Sequence, residues 1–359
     1  MKQKQNRQLT DYETRITGKY GAVICVSILT VLVCFFAVTK GSIELSLTEV
    51  LTTFAGRGSQ QSNTVLFSIR LPRVMAAVLV GAALAVSGAV MQCVLQNPLA
   101  SASTLGVSQG AAFGAALGIV VFGGGVISSG SANVAVAIDD PYIVTLCAFV
   151  FGSLSTAVVL LLSQFRRDLG PGGLVLAGVA LSSLFTGGST LLQYFADETQ
   201  LGAVVFWTFG NLGSANWKEL LILSVVFVGA FLYFLCNRWN YNAMSSGADT
   251  AKSLGVNTRT VMLISMAVCS ITAAVSVSFV GIISFIGLIA PHMMRKLVGE
   301  DHRFLIPASA ACGALLLVLA DTFGRLIITP VILPVGAITS FLGAPVFLAL
   351  LMKGAGKRD

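Results

Sequence analysis

Charge is what this chain has least of. Only 10% of its 359 residues are Asp, Glu, Lys or Arg, where a soluble domain carries about 25%. The apolar stretches run from residue 21 to residue 352 and leave no polar block long enough for a folded, water-soluble catalytic domain. Histidine is nearly missing as well, with His292 and His302 alone and neither close to a cysteine pair. The seven cysteines, Cys25, Cys34, Cys93, Cys147, Cys236, Cys269 and Cys312, stand singly with no C-x-x-C spacing. Metal and dithiol chemistry therefore have no ligand set, and the cysteines read as small buried hydrophobes. There is no G-x-x-x-x-G-K-[ST] loop to hold a nucleotide and no H-E-x-x-H to hold zinc. Disorder, collagen and disulfide scaffolds fail on the same composition.

What is present in excess is apolar residue, at 55%, with a mean hydropathy of +0.88. Lipid is the solvent such a chain requires. A helix needs ~20 apolar residues to cross the hydrocarbon layer. Qualifying or nearly qualifying windows lie at 21–39, 74–96, 104–122, 142–164, 173–195, 217–236, 305–320 and 332–352, beside one unbroken run over 260–294. As a single helix that run would be roughly 52 Å long, too much for one crossing, so it turns back near Gly281. The predicted fold is an all-α membrane protein of about ten transmembrane helices. It divides into an N-terminal tail over 1–20, a single membrane domain over 21–352 and a short tail over 353–359. The first apolar stretch ends in Val38-Thr39-Lys40 without a small-x-small cleavage site and reads as a retained span.

The cations set the orientation. With the N-terminus in the cytoplasm, Lys40, Arg57, Arg70, Arg73, Lys218 and Arg325 fall outside and the other 16 of the 22 Lys and Arg fall inside. Acidic residues divide 7 inside to 8 outside, so the asymmetry belongs to cations, as the positive-inside rule requires. Both termini are then cytoplasmic. The net charge of +7 is a signature of topology rather than of a nucleic-acid surface.

Helices in lipid associate through close backbone approach at small residues. Gly106, Gly110, Gly114 and Gly118 form one such ridge, and Gly81, Ala85 and Ala89 another. Pro98 and Pro291 mark bends whose freed carbonyls must face protein or a wet cavity. No Asp, Glu, Lys or Arg falls near the centre of any span, which disfavours proton-coupled carriers. A sodium-coupled secondary carrier, which can work through carbonyls and hydroxyls, remains an alternative.

Three local constellations stand out. Arg70-Leu71-Pro72-Arg73 opens the second span with two guanidiniums three residues apart, facing similar directions on a helix. Ala320-Asp321-Thr322-Phe323-Gly324-Arg325 closes the ninth, with Asp321 and Arg325 spaced to pair. On the inside, within 242–258, Gly247-Ala248-Asp249-Thr250-Ala251-Lys252-Ser253-Leu254-Gly255 is one short helix, with Ala248, Ala251 and Leu254 on a common face and Gly255 as its stop.

On these residues, together with Q-N-P-L-A-S-A-S-T-L-G-V-S-Q-G-A (96–111), F-V-G-I-I-S-F-I-G-L-I-A-P-H-M-M-R (279–295), G-E-D-H-R-F-L-I-P (299–307) and L-P-V-G-A-I-T-S-F-L-G-A-P-V-F (333–347), the chain resembles the FecCD family, the type II ABC importer permeases for iron siderophores and vitamin B12. The resemblance spans roughly 50–352 in order and spacing. It implies a transport subunit, not an enzyme, in the bacterial plasma (inner) membrane. It carries no cofactor and pairs with a second copy or a sister permease. Two cytoplasmic ATPases would hold ATP and Mg, and an external substrate-binding protein, lipid-anchored or periplasmic, would deliver a ferric siderophore, with corrinoid and haem as alternative cargos. By the same resemblance Arg70, Arg73 and Arg325 dock the binding protein, against a reading as snorkelling interfacial anchors. Gly247, Ala248, Asp249, Ala251, Lys252, Leu254 and Gly255 couple to the ATPase, and Asn97, Pro98 and Leu99 lie at the inner constriction. The loop over 165–173 would supply the other half of the gate, but its Leu169-Gly170-Pro171-Gly172-Gly173 departs from the Ser and Thr the family often carries.

Overall fold

Small residues decide which helix sits at the centre. The computed structural model describes residues 2–41, 46–123, 125–128, 135–138, 141–166, 170–328 and 331–355. Its first part contains α1 (Lys2–Thr39), α2 (Leu47–Phe54), α3 (Gln60–Asn63), a π-helical turn over Thr64–Arg70, α4 (Leu71–Val94) and α5 (Val107–Val120). A short antiparallel hairpin follows, β1 (Gly125–Ser128) with β2 (Ala135–Ile138), and then α6 (Pro141–Phe165), α7 (Pro171–Phe195), α8 (Glu198–Thr208) and α9 (Trp217–Cys236). The chain ends with α10 (Arg238–Ser245), α11 (Ala248–Ser253), α12 (Thr258–Val280), α13 (Ile286–Val298), α14 (His302–Leu326) and α15 (Val335–Ala355).

In α4 the most apolar window is 89% buried, against 11% in α1 and 22% in α7 and α9. A helix apolar on every side belongs in the core, and α4 is that helix. It reaches the centre because its neighbours touch its backbone. A Cβ on Gly81 would lie 2.4 Å from the Gly313 carbonyl oxygen of α14, and one on Gly313 would lie 2.4 Å from the Ala85 Cβ. Gly88 meets Gly287 of α13 in the same way. A second seam joins α5 to α6, where Gly110 and Gly114 face the carbonyls of Phe151 and Cys147. The outward faces of α1, α6, α7 and α9 carry Leu32, Leu146, Leu184 and Leu221, all exposed as lipid contact demands.

Among the described residues seven helices are long and apolar enough to cross a membrane, α5 and α15 are shorter apolar helices, and α13 is the helical part of the second limb of the 260–294 run. Three details differ from the sequence reading. The N-terminal residues are helical, since α1 is continuous from Lys2, and its crossing portion starts at Ile16. Gly106 is not on the α5 ridge. It adopts φ 84 just before the helix, at a position where an added Cβ would lie 2.5 Å from the Ser155 Oγ. The 260–294 run does turn back at Gly281, φ 76, but its second limb stays non-helical over 282–285 before α13 begins. Four-residue strands also appear in the α5–α6 connection, outside the apolar spans.

Candidate translocation pathway and docking surfaces

Two spans are half helix and half irregular backbone. Residues 95–106 rise from the inner end of α4 into the bundle, where Gly106 packs against Ser155 of α6 and Gly178 of α7. The 281–285 segment descends beside α4 until α13 starts opposite Gly88. Irregular backbone at membrane depth is tolerated only where protein or a wet cavity satisfies it. Protein does much of that here: Val107 N–H donates to Ala102 O at 3.2 Å, Ser155 Oγ donates to Leu105 O at 2.8 Å, and Asn211 N–H donates to Val280 O at 2.7 Å.

Beside the first break a groove of about 420 Å³ opens sideways, walled by Ser103, Thr104, Gln109, Ser182, Ser183 and Thr186. Ser183, Thr186 and Thr190 follow one face of α7 and are exposed, each donating its hydroxyl to a carbonyl of its own helix. A hydroxyl face at mid-membrane suits water or a second protein surface better than lipid. Sequence reading passed over it. The available signal was the repetition of hydroxyls at three- and four-residue spacing in 182–190.

At the outer rim Arg70, Arg73 and Arg325 do not stand free. They are 5%, 9% and 8% exposed. The expectation that Arg70 and Arg73 face alike is corrected. The Arg70 Nη1 donates to Val38 O at 2.8 Å and Thr39 O at 2.9 Å, whereas the Arg73 Nε turns to Asp321 Oδ1 at 2.8 Å. The pairing of Asp321 with Arg325 is present, Nε to Oδ2 at 3.0 Å, and Arg325 also donates to Lys40 O and Ala37 O. The carbonyls that end α1 and one carboxylate thus hold three guanidiniums, because a buried charge requires a partner. Arg73 also lines an outward cleft of about 580 Å³ with Asn211, Gly213, Ser214, Phe209 and Pro334.

At the inner rim α11 has the expected bounds, with Gly247 at φ 108 before it and Gly255 at φ 82 after it. Its predicted common face is corrected. Ala251 is fully buried while Ala248 and Leu254 are exposed, Leu254 at 67%, because each three-residue step shifts the side chain by about 60° around the helix and Leu254 lies past the last helical residue. Asp249 and Lys252 pair on the outside at 3.3 Å. Behind α11, Asn242 of α10 donates to Asp301 Oδ1 at 2.9 Å and accepts the His302 N–H at 2.8 Å, fastening α10 to the start of α14. Burial pushes the Asp301 carboxyl up, but hydrogen bonds from Arg303 and Asn242 outweigh it and hold it at about 2. Asn97 shapes its own turn by accepting the Leu99 N–H at 2.9 Å, and Pro98 and Leu99 project from that turn, exposed. Gln92, buried in α4, meets the Arg295 guanidinium of α13, a contact with no sequence signature. Of the loop over 165–173, residues 167–169 lie outside the described residues, and Gly170 and Pro171 start α7. Among the described residues no group of His, Cys, Asp and Glu could hold a metal ion.

A polytopic helical bundle with an uncharged polar groove at mid-depth defines a membrane transport subunit. The model of the FecCD transport family matches residues 29–353, and the chain belongs to that family. It is similar to a protein of Methanocaldococcus jannaschii assigned as an ABC transporter permease, 49% identical over 93% of this chain and 94% of that one. It is also similar to the iron(3+)-hydroxamate import system permease FhuB of Bacillus subtilis, 37% identical over 98% of this chain and 88% of that one. A solved ABC transporter described as of metal-chelate type, in an inward-facing conformation, is 31% identical and superimposes with a TM-score of 0.80 over 92% of this chain and 98% of that one. This chain is accordingly a multi-pass ABC permease subunit.

Proposed function

We propose that this permease imports a ferric chelate of the siderophore kind across a prokaryotic plasma membrane, with corrinoid and haem as the competing cargos within the same mechanism. The carrying observation is the hydroxyl-walled groove between the α5 break and α7. It lies at the depth where a second copy or sister permease would close it into a pathway, and it offers weak polar contacts without a charge to trap a bulky cargo. An external binding protein would dock on the outer rim, beside Arg70, Arg73 and Arg325 and the cleft that Arg73 lines, with its carboxylates turned toward the guanidiniums. The exposed surface of α11, from Gly247 to Gly255, would seat on the ATPase, with Leu254 as its apolar contact. Closure of two ATPases on ATP and Mg would move α11, and through Asn242 and Asp301 would tilt α14 and α4 as a rigid pair. Asn97, Pro98 and Leu99 would form the inner constriction.

The test is transport in proteoliposomes containing the permease, its ATPase and its binding protein. Uptake of a ferric siderophore should require ATP and all three components. Accumulation by the permease alone under a sodium gradient would replace this reading with that of a secondary carrier, and uptake of cobalamin or haem but not ferric siderophore would change the cargo.

A further inference from the structure

Glutamine stands where the end of α4 calls for glycine. The helix closes in a left-handed turn, in which the Gln96 N–H donates to Cys93 O and the Asn97 N–H to Gln92 O, both at 3.2 Å, with Gln96 itself at φ 46. Helices ordinarily carry glycine at this position, because a Cβ is strained at positive φ. Among the described residues only Gln96 and Phe285 adopt positive φ without being glycine. Such a residue needs surroundings that hold it in place, and strained positions of this kind concentrate where a protein works.

The side chain of Gln96 does the holding. Its Nε2 donates to Cys93 O at 2.6 Å, within its own turn, and to Met244 O at 3.0 Å, across to α10. Met244 O also accepts the Gly247 N–H at 3.0 Å, and Gly247 O in turn accepts the Ala251 N–H at 3.0 Å. The chain leaving α4 and the chain entering α11 therefore hang on one carbonyl. A second contact stands just behind, where the Cys93 thiol donates to Tyr241 O at 3.3 Å and meets Ser245 Oγ at 3.5 Å. On its other side Gln96 passes directly into Asn97, Pro98 and Leu99. That turn is closed by Asn97, which accepts the Leu99 N–H through Oδ1 and the Ala100 N–H through its carbonyl oxygen.

Glycine would close α4 without strain, but it would leave Met244 O with Gly247 alone. We propose that Gln96 is a positioning residue for transport, which locks the 97–99 turn to the start of α11 so that the two move as one rigid piece. The inference rests on the reading of α11 as the ATPase contact, and it adds a second route beside the one through Asn242 and Asp301. A displacement of α11 reaches Met244 through Gly247, then Gln96 through its amide, and then the inner constriction with no residue between. Gln96 is exposed, so water competes for that amide and the lock has the strength of one modest hydrogen bond. Its loss is therefore felt in how faithfully the turn follows α11 and hardly in the stability of the fold.

The test has two arms. In proteoliposomes holding the permease, its ATPase and its binding protein, Gln96→Gly keeps the left-handed turn and removes the amide. ATP hydrolysis should continue while uptake of a ferric hydroxamate per ATP hydrolysed falls about 2- to 10-fold, one hydrogen bond expressed as a shift in equilibrium. Gln96→Lys, which returns a donor of similar reach, should recover the ratio. In the permease alone in lipid nanodiscs, spin labels introduced as non-canonical residues at the exposed Leu99 and Leu254 should report one narrow distance, broadened in Gln96→Gly and narrow again in Gln96→Lys. A distribution as narrow in Gln96→Gly as in the parent, or an unchanged uptake per ATP, would overturn the inference. The distance measurement needs neither cargo nor ATPase, so a parent that takes up no ferric hydroxamate would count against the proposed cargo and leave the distances to decide the role of Gln96.

Discussion

The two rims of this bundle treat charge in opposite ways. Outside, Arg70, Arg73, Arg325 and Asp321 are buried and shared among α1, α4 and α14, so that their charges act as structural ties. Inside, Asp249 and Lys252 lie on the exposed surface of α11, and the tie is made behind them by Asn242 and Asp301. The outer rim therefore holds its charges inward, and the inner rim presents them on its surface.

The largest expected effect lies at the outer rim. Asp321→Ala leaves Arg73 and Arg325 buried without their carboxylate and should cost about 3–5 kcal/mol, visible as a collapse of the thermal midpoint in detergent. An unchanged midpoint would mean that these arginines are free surface groups and that the contrast between the rims is false. Next comes the packing that lets α4 and α14 act as one rod. Gly81→Ala drives a Cβ to 2.4 Å from the Gly313 backbone oxygen and should destabilise by about 1–3 kcal/mol, whereas Gly229→Ala on α9, with open space around it, should not.

A smaller effect is expected at the inner tie. The folded Asp301 carboxyl sits at about 2, below its ordinary value, so its contribution to stability is present above the ordinary carboxylate pKa and is lost as pH falls through about 2. Asn242→Ala should move its titration upward, read by the carboxyl infrared band, and an unmoved band would remove Asn242 from the tie. The smallest effect on stability is expected from Leu254→Asp, within about ±0.5 kcal/mol as for other surface changes. The same substitution should abolish co-purification with the ATPase, and intact co-purification would send the coupling surface elsewhere.

Much of this was legible in the chain because lipid imposes a coarse rule: apolar length gives the spans and cation placement gives the orientation. The Asp321–Arg325 pair and the Gly247–Gly255 bounds of α11 were also legible, being local in sequence. The burial of the arginines was not. It depends on carbonyls of Ala37 to Lys40, those that meet Arg325 lying 285 and 288 positions away and reached only when α1 packs against α14. The hydroxyl groove was equally hidden, since periodicity shows that Ser183, Thr186 and Thr190 share a face but not that the face borders Ser103 and Gln109.

By itself the sequence determined that the protein lives in a membrane, how often it crosses and which way it points, since these depend on composition summed over windows of twenty residues. Only the tertiary structure decided where the helices stop inside the bundle. Whether backbone can leave the helix at mid-membrane depends on what stands beside it, and at Gly106 and Phe285 those neighbours come from helices distant in the chain.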